Sequence, residues 1–267
     1  MTPSRRHLRF SREGFTLLEV LVASAILGVV MMVLLSTLST SMSLWRNTEG
    51  KAASDREARA SGLLLAQDLA NVVMPANPNL WPRVVTSRVG GENVVSLRFL
   101  TAKPGDYQTN AGDAGDVCYV EYAVLASPGG SGRELRRLFW PSGRTYSNVI
   151  ASNSLPRGAQ PQNEFQSLGL NLLPTNRMAA RGLGALLNEA NNTNFVLLAT
   201  NNPTRALLPF TGTPSVSNFP VAVEVNFAVA DPDILRNTDL LNNPRYILRN
   251  AGLYSTRYYL PKPPNAP

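Results

Sequence analysis

The 26 residues between Glu19 and Arg46 carry no charge, and Val20–Leu35 is almost wholly apolar. A helix that crosses a membrane needs about 20 such residues, and Leu17–Leu38 supplies them. The pattern then changes. From Leu44 to Val73, apolar positions (Leu44, Trp45, Ala52, Ala53, Leu63, Leu64, Ala66, Leu69, Val72, Val73) alternate with Arg46, Glu49, Lys51, Asp55, Arg56, Glu57, Arg59 and Asp68. After Leu63 the apolar spacing approximates one helical face. Gly50 and Gly62 weaken the helix and are expected to let it bend. Met74-Pro75 is expected to end it, because proline restricts the residue before it and cannot continue the ladder. One helix from Phe15 to Met74 would be about 90 Å long at ~1.5 Å per residue. Its first half is apolar all round, and its second half suits a helix laid on a sheet.

Beyond Pro75 the period shortens to that of strands. Val94–Leu100 reads as one strand. Val117–Leu125 and Glu134–Trp140 flank the Gly-rich Ser127–Gly132, which predicts a hairpin. Phe195–Ala199 and Val221–Val229 are further strands, the second placing Val221, Val223, Val225, Phe227 and Val229 on one face. Tyr258–Leu260 suits a last short strand. Residues 141–193, rich in Asn, Pro, Gly and Ser, read as long loops with one short helix at Met178–Ala190. The Pro-rich Pro261–Pro267 is expected to be a disordered tail.

Charge refines this picture. The net charge is +7, but Arg5, Arg6, Arg9 and Arg12 against Glu13 give the first 14 residues +3, which leaves +4 for the rest. No later Lys/Arg stripe interleaves with aromatics, which argues against nucleic acid as a partner. The arginines on the N-terminal side predict a cytoplasmic leader and a C-terminal bulk outside the membrane. Within this greasy stretch Glu19 stands out, since a charge at the centre of a membrane helix costs about 2.5–3.5 kcal/mol on insertion scales.

Three readings compete for the N-terminus. A secretory signal would use Ala23-Ser24-Ala25 as its cleavage site. Its apolar core would then be Phe15–Val22, with the longer apolar stretch coming after the cut, which is the wrong order. A twin-arginine signal would use Ser4-Arg5-Arg6-His7-Leu8, but no cofactor motif lies downstream. The third reading uses every feature: a short basic leader, Gly14, Phe15, and a glutamate at the fifth residue after Gly14, all within Gly-Phe-Thr-Leu-Leu-Glu-Val. Over about 30 residues this resembles the type IV prepilin signal of bacterial pilins and type II secretion pseudopilins.

The resemblance carries several implications. A prepilin peptidase would cut between Gly14 and Phe15 and then N-methylate Phe15, leaving the apolar helix in the mature protein. The new α-amine lies four residues from Glu19, on the same helix face. In the family, Glu19 would meet the amine of a neighbouring subunit and set register; it could equally snorkel or pair with its own amine. Gly28 suits a packing or bending point, although glycine is also common in membrane helices. Trp45 suits the membrane interface or packing against the head. The implied partners are prepilin peptidase, other pilin or pseudopilin subunits, an inner-membrane assembly platform and membrane lipid.

The fold class expected is α+β and pilin-like, a long helical spine on an antiparallel sheet. The implied layout is a removed leader (1–14), an assembly helix (15–43), an amphipathic continuation (44–74), a β-rich head with long loops (75–260) and a tail (261–267). The hairpin with its arginine-containing return strand, and the strand in Phe219-Pro220-Val221-Ala-Val-Glu-Val, resemble the J-type minor pseudopilins. The family's tip-located minor type lacks the fifth-position glutamate, so Glu19 argues against that type. The resemblance implies a single-pass inner-membrane protein with an extracytoplasmic head, assembling into a type IV pilus-like or type II secretion filament.

The head offers little chemistry, and the expectation is no enzyme, no cofactor and no metal. His7 is the sole histidine and lies in the leader, which removes histidine triads and histidine-zinc sites from the mature chain. Cys118, the sole cysteine, excludes an intramolecular disulfide and reads as a buried thiol. Asp113 and Asp116, and Asp231 and Asp233, offer oxygen ligands of the kind calcium takes, but match no calcium-loop pattern. Gly129–Gly132 lacks the context and lysine of a phosphate loop. Arg133, Arg136 and Arg137 read as a solvated strand face or a partner contact. The rival function is a membrane-anchored enzyme or ligand-binding domain that uses a prepilin-like anchor.

Overall fold

The computed structural model describes residues 16–89, 92–102, 116–126, 133–158, 160–172, 194–200, 207–210, 214–215, 218–229 and 252–264. It divides into two units, Met1–Glu49 and Gly50–Pro267. Helix α1 (Leu17–Ala70) supplies residues to both.

In the first unit, every large hydrophobic side chain of α1 is exposed. The least exposed of those from Leu17 to Trp45, Val30, still shows 47% of its surface. The helix is long and apolar enough to cross a membrane. No proline interrupts it, and the hydroxyls of Ser24, Thr37, Ser39, Thr40, Ser43 and Thr48 donate to carbonyls three or four residues back, as Thr37 does to Leu34 (2.8 Å). These polar side chains satisfy themselves within the helix, so they do not oppose an apolar solvent.

The second unit is an antiparallel sheet with α1 on one face. After α1 come β1 (Val72–Val73), β2 (Arg83–Val89), β3 (Glu92–Ala102), β4 (Val117–Ala126), β5 (Arg133–Trp140), the short helix α2 (Ser142–Thr145), β6 (Gln166–Leu172), β7 (Phe195–Thr200), β8 (Leu207–Pro209), β9 (Ala222–Val229) and β10 (Gly252–Tyr259). The strand order is β1-β3-β4-β5-β6-β9-β7-β8, with β2 on β3 and β10 on β9. The expected hairpin is present: Tyr122 faces Arg137 across β4 and β5. Each expected strand has its counterpart, in β3, β4, β5, β7, β9 and β10. The others, β1, β2, β6 and β8, were not expected; β1 and β8 have only two and three residues. The expected helix Met178–Ala190 lies outside the described residues. Within 141–172, α2 runs into one π-helical turn (Tyr146–Ile150), and β6 comes after it.

The central strands are buried on both faces, which explains their near-continuous apolar runs. On one face Leu97, Phe99, Val120, Tyr122, Val124 and Leu135 pack with Ala58, Leu65 and Leu69 of α1 and with Val223, Val225, Phe227 and Val229 of β9. On the other, Tyr119, Ala123, Leu125, Leu138 and Trp140 pack under Val149, Leu155 and Phe165, which belong to the segment after β5. That segment is fastened by Arg144, whose guanidinium lies 4.4 Å from the Trp140 ring centroid and 2.8 Å from Glu164 Oε2.

Helix α1 stops at Ala70, four residues before the expected Met74. The cause is strand pairing rather than proline: Val72 and Val73 join β3 opposite Thr101 and Leu100. The Thr101 hydroxyl donates to the Asp68 carbonyl (2.9 Å), a group the helix end leaves open, and the Asn71 carbonyl accepts the Ala102 N–H (2.8 Å). Pro75 has another use, its carbonyl accepting the Trp81 indole N–H at 2.6 Å.

Gly62 is a point of close approach. A Cβ there would lie 2.9 Å from Tyr254 Cζ, with the hydroxyl oxygen nearer still. Tyr254 and Tyr258 of β10 share a hydroxyl hydrogen bond (3.1 Å), and Tyr258 donates to the Gly62 carbonyl (3.4 Å). The glycine lets the last strand reach the helix. In the expected tail, Pro263 is buried.

Candidate assembly and processing site

Gly14 and Phe15 lie outside the described residues. The described chain begins at Thr16, and there the sequence builds a capping box. The Thr16 carbonyl accepts the first helical bond, from the Val20 N–H (3.2 Å). The Glu19 N–H donates to Thr16 Oγ1 (3.3 Å), and the Thr16 N–H donates back to Glu19 Oε2 (3.3 Å). The Thr16 hydroxyl also donates to Oε2 at 3.3 Å. Two orphan N–H groups of the helix start are thereby answered, and the carboxylate sits where the helix dipole favours negative charge.

Thr16 is the residue that sequence reasoning missed. The signal was present: Thr-x-x-Glu directly ahead of an apolar helix is the capping-box pattern. The long apolar run that follows makes Glu19 look like a lone charge and masks the pattern. Glu19 is exposed, and its hydrogen bonds among the described residues all fall on Oε2. Gly28 has open space where a Cβ would stand, so no group of the described chain packs closely there.

A second carboxylate on α1 is held very differently. Asp68 is fully buried, and its Oδ2 accepts from the Tyr122 hydroxyl (2.6 Å) and from Arg137 Nε (2.8 Å). Burial, then the Asp68 charge, pushes the Tyr122 pKa far above the usual phenol range. The hydroxyl therefore stays a donor, and the cluster ties α1 to β4 and β5. This overturns the reading of Arg137 as part of a solvated face, because the charge facing it comes from the helix. Arg136 pairs instead with Glu134 on its own strand (3.3 Å).

The remaining candidates separate similarly. Cys118 is buried in β4, and its sulfur forms no disulfide. Asp116 is exposed at the edge of β4. Asp113, Asp231 and Asp233 lie outside the described residues, as does Gly129–Gly132. Among the described residues, no three His, Cys, Asp or Glu side chains are grouped to hold a metal ion.

Among known proteins, the N-terminal segment has a clear counterpart. Residues 9–35 match the family model described as the prokaryotic N-terminal methylation motif. That interval contains Gly14, Phe15, Thr16 and Glu19. No curated protein matches the chain. Among solved structures, a type IV-like pilin from Thermus thermophilus is similar at 10% identity with a TM-score of 0.34, covering 80% of this chain and 98% of its own. At that level the fold rests on the helix and strands described above rather than on the likeness. The chain thus carries a type IV prepilin-type N-terminal segment, matched over residues 9–35, ahead of an α+β helix-and-sheet domain.

Proposed function

We propose that this protein is a minor pilin or pseudopilin, a non-catalytic subunit of a type IV pilus-like or type II secretion filament. One observation carries the reading: a carboxylate, Glu19, stands at the start of an apolar helix that the described chain leaves uncovered. Such a surface needs lipid or other helices around it. Once covered, the carboxylate needs a cation, because an unpaired buried charge is strongly destabilising. Cleavage between Gly14 and Phe15 would create one, the α-amine of Phe15, on every subunit. Glu19 of one subunit meeting the Phe15 amine of the next would satisfy both charges and fix the axial register. The Thr16 capping box would hold the carboxylate at the helix end until then.

In this reading prepilin peptidase processes the chain on the cytoplasmic side and N-methylates Phe15. The helix stores the subunit in the inner membrane with the head extracytoplasmic, as the basic leader directs. An assembly platform and other pilin-like subunits are the partners.

Mass spectrometry of the mature N-terminus tests the processing. A chain beginning at methylated Phe15 is expected; an uncut chain, or one beginning after Ala25, would overturn the proposal. Glu19→Ala is expected to insert in the membrane at unmodified levels while its recovery in sheared or overproduced filaments falls at least about tenfold, the equivalent of ~1.4 kcal/mol. Normal incorporation of that variant would remove the register role.

A further inference from the structure

Arg83 opens β2, and its register partner on β3 is Arg98. Like charges placed directly opposite on an antiparallel pair repel, so each needs an answering anion. Arg98 has one. Its Nη2 lies 3.0 Å from Glu121 Oε1, its Nε donates to Ser96 Oγ (3.1 Å), and its Nη1 donates to the Pro156 carbonyl. The other oxygen of Glu121 accepts from the Tyr119 hydroxyl (2.7 Å). This cluster is buried and charge-balanced.

Among the described residues Arg83 is not balanced. Its Nη2 donates to the Asn79 carbonyl (2.7 Å) and more weakly to Asn79 Oδ1 (3.4 Å), while its Nε is buried with no hydrogen-bond partner among the described residues. The Asn79 carbonyl also accepts the Leu155 N–H (3.3 Å), and the Pro156 carbonyl is held by Arg98. These bonds draw the stretch that ends in Arg157 to the same corner of the sheet. There, burial and then the Arg157 charge lower the Arg83 pKa. Among the described residues neither Arg83 nor Arg157 has a carboxylate partner. The fold thus brings two arginines to one corner of the sheet, neither with a carboxylate partner among the described residues, where an oxyanion would offset both charges.

We infer that Arg83 and Arg157 form a binding site for an oxyanion, a carboxylate or a phosphate group, at the corner where β2 meets the Leu155–Arg157 stretch. The site is independent of Glu19 and of the filament reading. The guanidinium forks supply paired N–H donors, and the Asn79 carbonyl fixes the inner one in place.

The test uses the full chain in zwitterionic detergent, titrated with sodium phosphate and separately with sodium succinate, against sodium chloride at matched ionic strength. Melting temperature and calorimetry are read. At least one oxyanion is expected to raise the melting temperature beyond chloride. Arg157→Gln and Arg83→Gln are each expected to weaken that binding by about tenfold or more, while Arg257→Gln, whose native arginine is paired with Glu224, leaves it unchanged. In chloride alone, Arg157→Gln is expected to melt higher, because it relieves the repulsion. A phosphate-only response points to a phosphorylated ligand, and a succinate response to an acidic side chain of a partner. No stabilisation beyond chloride would overturn the inference. So would equal responses in the unmodified chain and Arg157→Gln, a surface substitution that decides the matter even if Arg83→Gln fails to fold.

Discussion

Helix α1 contains two regions that obey opposite rules, and each is marked by one carboxylate. From Leu17 to Trp45 the helix is apolar on every side and no side of it is covered. From Ala58 to Leu69 one face, bearing Ala58, Ser61, Leu65, Asp68 and Leu69, is buried against the sheet, while Leu63 stays exposed. Asp68 has its partners within the chain, Tyr122 and Arg137, and is fully enclosed. Among the described residues Glu19 has only its local cap, Thr16. Hydrophobicity states how much surface must be hidden; the few charged groups state what hides it. Where the partner is internal, the charge is already paired. Where the covering comes from outside, the charge is left holding its own helix end.

Substitutions can break this contrast. The largest effect is expected for Asp68→Ala, which strands the Arg137 charge in the core. Removing one partner of a buried pair costs about 3–5 kcal/mol, measurable by urea or thermal unfolding of the full chain in detergent. Leu34→Ala in the first region is expected to leave the same transition unmoved. Equal effects of the two would erase the distinction.

A smaller loss is expected for Gly62→Ala. The added methyl meets the Tyr254 ring, and such overpacking costs about 1–3 kcal/mol, offset in part by about 1 kcal/mol of helix propensity. Tyr254→Phe removes the nearest atom and should recover part of the loss. A stabilised Gly62→Ala protein would show that β10 does not press on the helix there.

The smallest effect concerns pH. The Arg144 hydrogen bond, aided by the Trp140 indole, holds the Glu164 carboxyl below its ordinary 4.5 despite some burial. Arg257 does the same for Glu224. A depressed carboxylate stabilises the fold above the unfolded value and loses that contribution as pH falls through the folded one. Stability should therefore fall below about pH 4.5, and Arg144→Gln should flatten that limb. These pairs are largely solvent-exposed, so the change should be about 0.2–1 kcal/mol.

The helix, the hairpin and the strands at β3, β7, β9 and β10 were legible because each arises from local periodicity. Of the strands that were missed, Val72–Val73 and Leu207–Pro209 are too short to show a period, whereas Arg83–Val89 and Gln166–Leu172 did carry strand signals, β-branched residues in the first and leucines alternating at 168, 170 and 172 in the second. They exist because neighbours offer open ladder edges, as β3 does to β1. The placement of charge was least legible. Arg98, Glu121, Asp68 and Arg137 look like ordinary surface charges in one dimension, yet register sets Arg98 opposite Glu121 and face sets Arg137 toward Asp68. Gly62 was read as a weak point in the helix, whereas the ring of Tyr254, almost two hundred residues later, gives it its use.

The amino-acid order alone determined the apolar helix, its capped start at Thr16 and Glu19, and the β-rich nature of the chain beyond it, since these depend on neighbours within a few positions. Only the tertiary structure decided which charges are paired inside, where the helix yields to strand pairing, and which two arginines share a corner of the sheet. Those outcomes depend on strand register and helix face, which bring together residues that the chain itself keeps far apart.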